Sequence, residues 1–302
     1  MQTIKRQLQQ AGVSHVLTDE PLVKYTTWRV GGSADLFVYP KSKRELQQTM
    51  TVLHREGIPW HAIGRGSNLL VRDNGIRGAV IKVGEGLDHL TIEGTRVTAG
   101  GGYSFVRLAG KTAKAGLSGL EFASGIPGNV GGAVFMNAGA HGSDVSRTLV
   151  SAEVILEDGS FKTLSAADLN FRYRTTALQE HVHGVVAEAT FALKKGNPAQ
   201  IMADVRAFKQ RRNRTQPLNH PCAGSVFRNP PGDHAGRLIE AAGLKGYRVG
   251  DAEVSTLHAN FIVNNGKATA ADILTLIGDV QKTVLETYGI VLHPEVRVVG
   301  EE

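Results

Sequence analysis

A single cysteine, Cys222, stands in 302 residues. No disulfide can form within the chain, so the disulfide-dense secreted folds are excluded and a reducing, cytoplasmic compartment is expected. No stretch approaches the roughly 18 uninterrupted apolar residues of a membrane span. Met1 to Gln10 carries only isolated apolar residues among Lys5, Arg6 and four glutamines, without the apolar centre of a signal peptide. No G-x-G-x-x-G occurs, because Gly64-x-Gly66 runs on to Leu69 and Gly100-x-Gly102 to Phe105; the Rossmann fingerprint is absent. Gly110-Lys111-Thr112 ends like a P-loop, but Phe105 stands where the first glycine belongs and the segment reads as mid-helix. The eleven histidines contain no H-x-x-x-H pair, and with one cysteine a tetrahedral zinc site has no source. Aromatics number 18 (Phe 10, Tyr 6, Trp 2) and are dispersed, so the basic, aromatic-rich stripe of a nucleic-acid module is missing.

What is present is ordinary globular material with two biases. Hydrophobic residues make up 41% and charged residues 21%, which excludes disordered and low-complexity classes. The net charge of +6 favours anionic partners, nucleic acid and phosphorylated small molecules alike. The 36 glycines, about 12% against a usual ~7%, fall in clusters, a sign of backbone packed against a ligand.

Periodicity places the elements. Ser42 and Glu45 read as a capping box, and Leu46, Met50 and Leu53 follow at helical spacing before Gly57, predicting a helix over about 43–55. Apolar runs Ala34–Val38 and Trp60–Ile63 flank it, so the opening section reads as a small β-α-β unit. Strand-like runs alternate with glycine pairs from Ala79 to Thr98, and Ser104 caps a helix to about Ala115. Asp158-Gly159 between Glu153–Leu156 and Phe161–Leu164 signals a hairpin, and Val185–Leu193 a further strand. Breakers at 194–198 suggest a domain boundary near 196. Beyond them, helices are predicted at Ile201–Arg212, Ala235–Ala242 and Ala270–Tyr288, with strands at Phe261–Val263 and Val296–Val299.

Two Gly-rich stretches are too long for plain turns. One is Gly64-Arg65-Gly66-Ser67-Asn68-Leu69-Leu70, and the other runs from Ser124 to Ala133 as S-G-I-P-G-N-V-G-G-A. Successive N–H groups without Cβ atoms in the way form anion-binding nests, and Ser67, Asn68 and Asn129 can add side-chain donors to a diphosphate. Tight β-turns are the alternative for each loop taken singly.

The two loops together, the second continuing as V-F-M-N-A-G-A to residue 140, resemble those of the bacterial UDP-N-acetylenolpyruvoylglucosamine reductases, FAD enzymes of cell-wall precursor synthesis. The resemblance continues through Phe171-Arg172-Tyr173-Arg174, Gly224-Ser225-Val226-Phe227-Arg228-Asn229-Pro230, Ile262 to Thr269 (I-V-N-N-G-K-A-T) and Pro294-Glu295-Val296, spanning 26 to 299 in order. It implies an α+β protein with a flavin-binding fold of the vanillyl-alcohol-oxidase type. A small β-α-β lobe (1–77) and a larger mixed-sheet lobe (78–196) would hold non-covalent FAD, and an α+β domain (197–302) would carry the substrate. FAD contacts would come from Gly64, Arg65, Gly66, Ser67, Asn68, Leu69, Ser124, Gly125, Ile126, Gly128, Asn129, Gly131, Gly132 and Asn137.

By the same resemblance, NADPH reduces the flavin and is replaced by UDP-N-acetylglucosamine enolpyruvyl ether, whose vinyl group is reduced to give UDP-N-acetylmuramic acid. An enol ether accepts hydride poorly, so its carboxylate must be polarised by cations or hydrogen-bond donors. Arg174 matches the arginine that does this with its planar fork. Glu295, protonated or hydrogen-bonded, would help stabilise the enolate. Ser225 matches the proton donor to C2, and Tyr173, Arg228 and Asn229 match substrate contacts. Taken as residues alone, Arg174 reads as one of two solvated strand arginines, Ser225 as a loop serine and Glu295 as a surface carboxylate.

Only 50 residues, 175–224, separate the arginine and serine motifs, so the chain resembles the short form of the family, without the tyrosine-bearing lid loop. The basic run Lys209 to Arg214 lies in that interval and is a candidate for the diphosphate, or a solvated helix end. A monomer is expected. The rival within the same fold is a flavin oxidase acting on a small alcohol or sugar, with FAD held covalently through His or Cys; the second Gly-rich loop offers no histidine before Gly125 to carry that bond.

Overall fold

The computed structural model describes all 302 residues. Contacts divide the chain into two interleaved units, the first comprising 1–19, 35–65 and 78–211, the second 20–34, 66–77 and 212–302. Segments 20–34 and 66–77, which a division into consecutive stretches assigns to the first lobe, pack with the C-terminal residues.

The first unit is built on two sheets. A four-stranded sheet runs in the order Val16–Pro21, Ser33–Val38, Ile76–Lys82, Trp60–Ile63, its last pair parallel. The helix Lys43–Arg55 lies between the second and fourth of these in sequence and buries Leu46, Met50 and Leu53, completing the β-α-β unit. Ser42 Oγ accepts the Glu45 N–H at 3.1 Å, which is half of the expected capping box. The other half differs: the Glu45 carboxylate takes the Lys41 N–H at 3.2 Å and the Ser14 N–H and hydroxyl, because the carboxylate also bridges to the turn after the first helix.

The five-stranded sheet of the larger lobe runs Phe161–Ser165, Leu149–Leu156, Gly184–Ala192, Arg96–Gly100, Leu90–Glu93. It is antiparallel at every pair rather than mixed, since hairpins join its outer strands to their neighbours. Gly159 at φ +86° closes the predicted Asp158-Gly159 hairpin. Gly110-Lys111-Thr112 lies inside the helix Phe105–Lys114, as its apolar spacing requires. After the breakers, Asn197 Oδ1 accepts the Ala199 N–H at 2.9 Å and Pro198 opens a helix that extends to Thr215, a natural first-turn use of proline.

The second unit folds around a three-stranded antiparallel sheet, Arg248–Val249, Ala252–Val254, Ile262–Asn264. The helix Ala270–Tyr288 buries Ile273, Leu276, Ile277, Val280 and Val284 in its core. A full capping box at Thr269 and Asp272 starts that helix. Asp73 adds a second cap, its carboxylate accepting the Ala270 and Ala271 N–H groups at 2.8 and 2.9 Å. Trp28, fully buried, donates Nε1–H to the Ile262 carbonyl at 2.7 Å, and Asn264 Nδ2 donates to the Trp28 carbonyl at 2.9 Å. Strand Leu69–Val71 pairs in parallel with Arg297–Val299. No helix is long and apolar enough to cross a membrane.

Candidate active site

In the first unit the strand Trp60–Ile63 delivers the chain to Gly64 and Arg65. A Cβ on Gly64 would stand 3.4 Å from Asn129 Nδ2, so glycine lets the two Gly-rich loops approach. Asn129 is buried and donates Nδ2–H to the Val83 carbonyl at 2.9 Å; its amide ties the loops to the residue that follows strand Ile76–Lys82. Lys82 donates to the Gly64 carbonyl. Burial, and next the Arg65 charge, push its ammonium down to about 8. A half-buried cation at the foot of this loop was not visible in the sequence, where Lys82 looks like the polar end of an apolar strand.

The second loop is stitched tightly on one side. The Gly131 N–H reaches the Gly101 carbonyl at 2.8 Å and the Val130 N–H the Tyr103 carbonyl at 2.9 Å. A Cβ on Gly131 would come to 3.1 Å from the Gly101 oxygen. Gly132 is the opposite case, with nothing within 4 Å of a Cβ, so its bare backbone faces open space. Ser124 is buried, yet its Oγ has no hydrogen-bond partner. An unsatisfied buried hydroxyl is costly, and a ligand with acceptor oxygens would satisfy it. Together with the open backbone at Gly132, this fits the expected FAD. Asn137, at φ +42°, serves the scaffold: Nδ2 donates to the Arg172 carbonyl at 3.0 Å and Oδ1 accepts the Ser146 N–H at 3.2 Å.

That bond leads to Arg174. Arg172 and Thr175 exchange two 3.0 Å backbone hydrogen bonds, so Tyr173 and Arg174 form the tip of a tight turn rather than a strand. Arg174 sits at φ +56°, a conformation that costs a non-glycine residue energy and concentrates at functional sites. Its Nη2 donates to the Gly139 carbonyl at 2.8 Å, its Cζ lies 5.1 Å from the centre of the Tyr173 ring, and Gln179 Nε2 donates to its carbonyl at 3.1 Å. The Gly139 carbonyl and the Tyr173 ring aim the guanidinium, and Gln179 holds the backbone behind it. Arg172, by contrast, pairs with Glu180 on the surface.

The second unit holds the other residues. Gly66 is at φ +64°, and a Cβ there would lie 2.1 Å from the Tyr25 carbonyl; only glycine fits. Asn68 Nδ2 donates to the Glu295 carbonyl at 3.1 Å, and its own carbonyl accepts the Arg297 N–H at 3.0 Å. Its amide therefore braces Glu295 instead of pointing free from the loop. The Glu295 N–H donates to the Val226 carbonyl at 2.7 Å, so the segments bearing Ser225 and Glu295 are paired side by side. Phe227 and Pro294 form a bridge between them, and the Arg228 N–H reaches the His293 carbonyl at 2.9 Å. Asn229 Oδ1 caps the helix Ala235–Ala241 at the Ala235 N–H, 3.1 Å away. Arg228 Nε is buried without a hydrogen-bond partner. The Cys222 thiol is raised by burial, which makes it a poor nucleophile.

These features define a class, an FAD-dependent oxidoreductase. Residues 34–165 match the family model of an FAD binding domain. The berberine bridge enzyme of Eschscholzia californica shares the fold over 65% of this chain and 44% of its own, with a TM-score of 0.51 at 14% identity.

The particular family follows from closer relatives. Residues 216–299 match the C-terminal domain of UDP-N-acetylenolpyruvoylglucosamine reductase. The proteins of that name from Bacillus licheniformis and Anoxybacillus flavithermus are each 53% identical over 302 residues, covering 100% of both chains. The crystal structure of UDP-N-acetylenolpyruvylglucosamine reductase from Thermus caldophilus matches with a TM-score of 0.80 at 38% identity, over 94% of this chain and 98% of that one. The chain belongs to the UDP-N-acetylenolpyruvoylglucosamine reductase family.

Proposed function

We propose that this protein reduces the enolpyruvyl ether of UDP-N-acetylglucosamine to UDP-N-acetylmuramic acid with electrons from NADPH, as a cytoplasmic monomer. FAD, held by the Gly-rich residues, would supply the hydride acceptor for NADPH and the hydride donor for C3 of the substrate vinyl group. Hydride arrival at C3 pushes an electron pair toward the carboxylate, and the residues must hold that charge and then quench it. Arg174 holds it with a planar fork of N–H donors that its turn presents in a fixed direction. Glu295 acts at the same developing enolate through a hydrogen bond. Ser225 gives its hydroxyl proton to C2, completing addition of one hydride and one proton across the double bond. Serine is a weak acid, but a carbanion-like C2 is basic enough that position matters more than bulk acidity.

Arg228, with its buried Nε, supplies charge to the substrate, and Tyr173 and Asn229 line its path. The Gly-rich residues from Gly64 to Leu69 and from Ser124 to Gly132 would hold FAD, with the Ser124 hydroxyl finding its acceptor there. The observation that carries the reading is the 2.7 Å bond from the Glu295 N–H to the Val226 carbonyl, which fits a proton donor and a carboxylate working at adjacent atoms of one substrate.

Anaerobic visible spectra test it. The yellow protein is expected to bleach with NADPH and recolour only when the enolpyruvyl nucleotide is added. Recolouring by oxygen alone would move the reaction to alcohol or sugar oxidation.

A further inference from the structure

We infer that Asn260 is a positioning residue for the proton donor, setting the direction of the Ser225 hydroxyl by gripping the two residues that follow it. The inference rests on the reading of Ser225 as donor given above.

Asn260 is 4% exposed, a carboxamide sunk beneath the Ser225 segment. Both ends of the amide are spent on one residue: Oδ1 accepts the Phe227 N–H at 2.9 Å, and Nδ2 donates to the Phe227 carbonyl at 2.8 Å. The Asn260 carbonyl accepts the Val226 N–H at 2.9 Å. Its own N–H is held by His258 Nδ1 at 3.2 Å, so the grip is itself anchored. From the Val226 N–H to the Arg228 N–H every backbone group is engaged, three by Asn260 and two by residues 293–295.

On the other side of Ser225 stands a glycine with open space beside it. Gly224 stands at φ +68° with nothing within 4 Å of its Cβ position. Ser225 therefore joins this glycine to a clamped segment, and the clamp on residues 226–228 sets the direction in which the chain leaves its Cα. A buried side chain that mimics a strand partner is a demanding way to satisfy two peptide groups that an ordinary ladder would serve. Its use here makes sense where one residue, at the edge of the ladder, must not drift.

Asn260→Asp isolates this role. It keeps the shape and the acceptor for the Phe227 N–H but sets a carboxylate oxygen against the Phe227 carbonyl, loosening the grip at one bond. The FAD-loaded full-length protein, its Ser225→Ala, Asn260→Asp and Asn260→Ser variants and the Ser225→Ala/Asn260→Asp pair are compared by anaerobic stopped flow. Bleaching by NADPH and recolouring by the enolpyruvyl nucleotide are read separately.

Asn260→Asp and Asn260→Ser are expected to bleach at the parent rate and to recolour at least tenfold more slowly, with a larger solvent deuterium isotope effect on recolouring. The double variant is expected to recolour no more slowly than Ser225→Ala. Parental recolouring in the Asn260 variants, equal losses in both half-reactions, or additive losses in the double variant would overturn the inference while leaving Ser225 as donor. Parental recolouring in Ser225→Ala would remove the donor itself, and the inference with it.

Discussion

Asn68 and Glu295 are joined by a 3.1 Å hydrogen bond from the asparagine amide to the glutamate carbonyl, with the Arg297 N–H returning to Asn68 at 3.0 Å. A residue of the first Gly-rich loop thus fixes the backbone of the carboxylate assigned to the enolate. Asn68→Ala removes one such bond, worth about 1 kcal/mol in stability. Recolouring by the enolpyruvyl nucleotide should slow roughly tenfold, as displaced catalytic groups do. Thermal melting and stopped flow check both; a melting shift with unchanged recolouring would confine Asn68 to stability.

Arg174→Lys keeps the charge and tolerates the same backbone but loses the planar fork. Recolouring should fall roughly a hundredfold, the scale of removing one electrostatic donor, while bleaching by NADPH holds. Single-turnover rates of the two half-reactions, with circular dichroism as control, decide this.

Gly132→Ala tests which face of the second loop meets the cofactor. Nothing in the protein lies within 4 Å of the new methyl, and alanine in place of a helical glycine stabilises by about 1 kcal/mol. Apoprotein melting should therefore rise slightly, whereas the FAD dissociation constant, read by fluorescence titration, should increase at least tenfold. Unchanged FAD affinity would turn that face away from the cofactor.

Lys82 predicts a pH dependence of apoprotein stability. Its folded pKa of about 8 lies below its ordinary 10.5. Below pH 8 both folded and unfolded chains carry the proton, and the folded state bears the full burial cost. Between about 8 and 10.5 the unfolded chain binds more protons, so this group makes stability rise with pH. The rise is complete above 10.5. Urea melts of the parent and Lys82→Met across that range should diverge, the parent gaining on the variant as pH increases; parallel curves would mean that Lys82 titrates alike in both states.

Local signals were readable from the chain. Leu46, Met50 and Leu53 announced the helix Lys43–Arg55, Asp158-Gly159 its hairpin, and the helix Ala270–Tyr288 emerged with the expected bounds. What escaped were pairings set by residues far apart, such as Trp28 with Ile262 and Asp73 with the N-terminus of Ala270–Tyr288, which no window of periodicity spans. The site divided in the same way. Its Gly-rich loops and Ser225, Arg174 and Glu295 stand out by motif, but Asn260 hides among apolar neighbours and shows its use only when its amide is seen on Phe227.

The parallel pairing of Leu69–Val71 with Arg297–Val299 has a consequence for synthesis on the ribosome. At 5–20 residues per second, the later strand leaves the peptidyl-transferase centre roughly 10–45 s after the earlier one. Through that interval Leu70 lacks its partner strand and Asn68 lacks Glu295, so the second unit cannot close until residues 295–299 have been made. A nascent chain stalled before residue 295 holds both Gly-rich loops and both sheets of the first unit, yet it lacks the strand that completes the second. Synthesis through Val299 is thereby built into the fold as a condition for assembling the reductase.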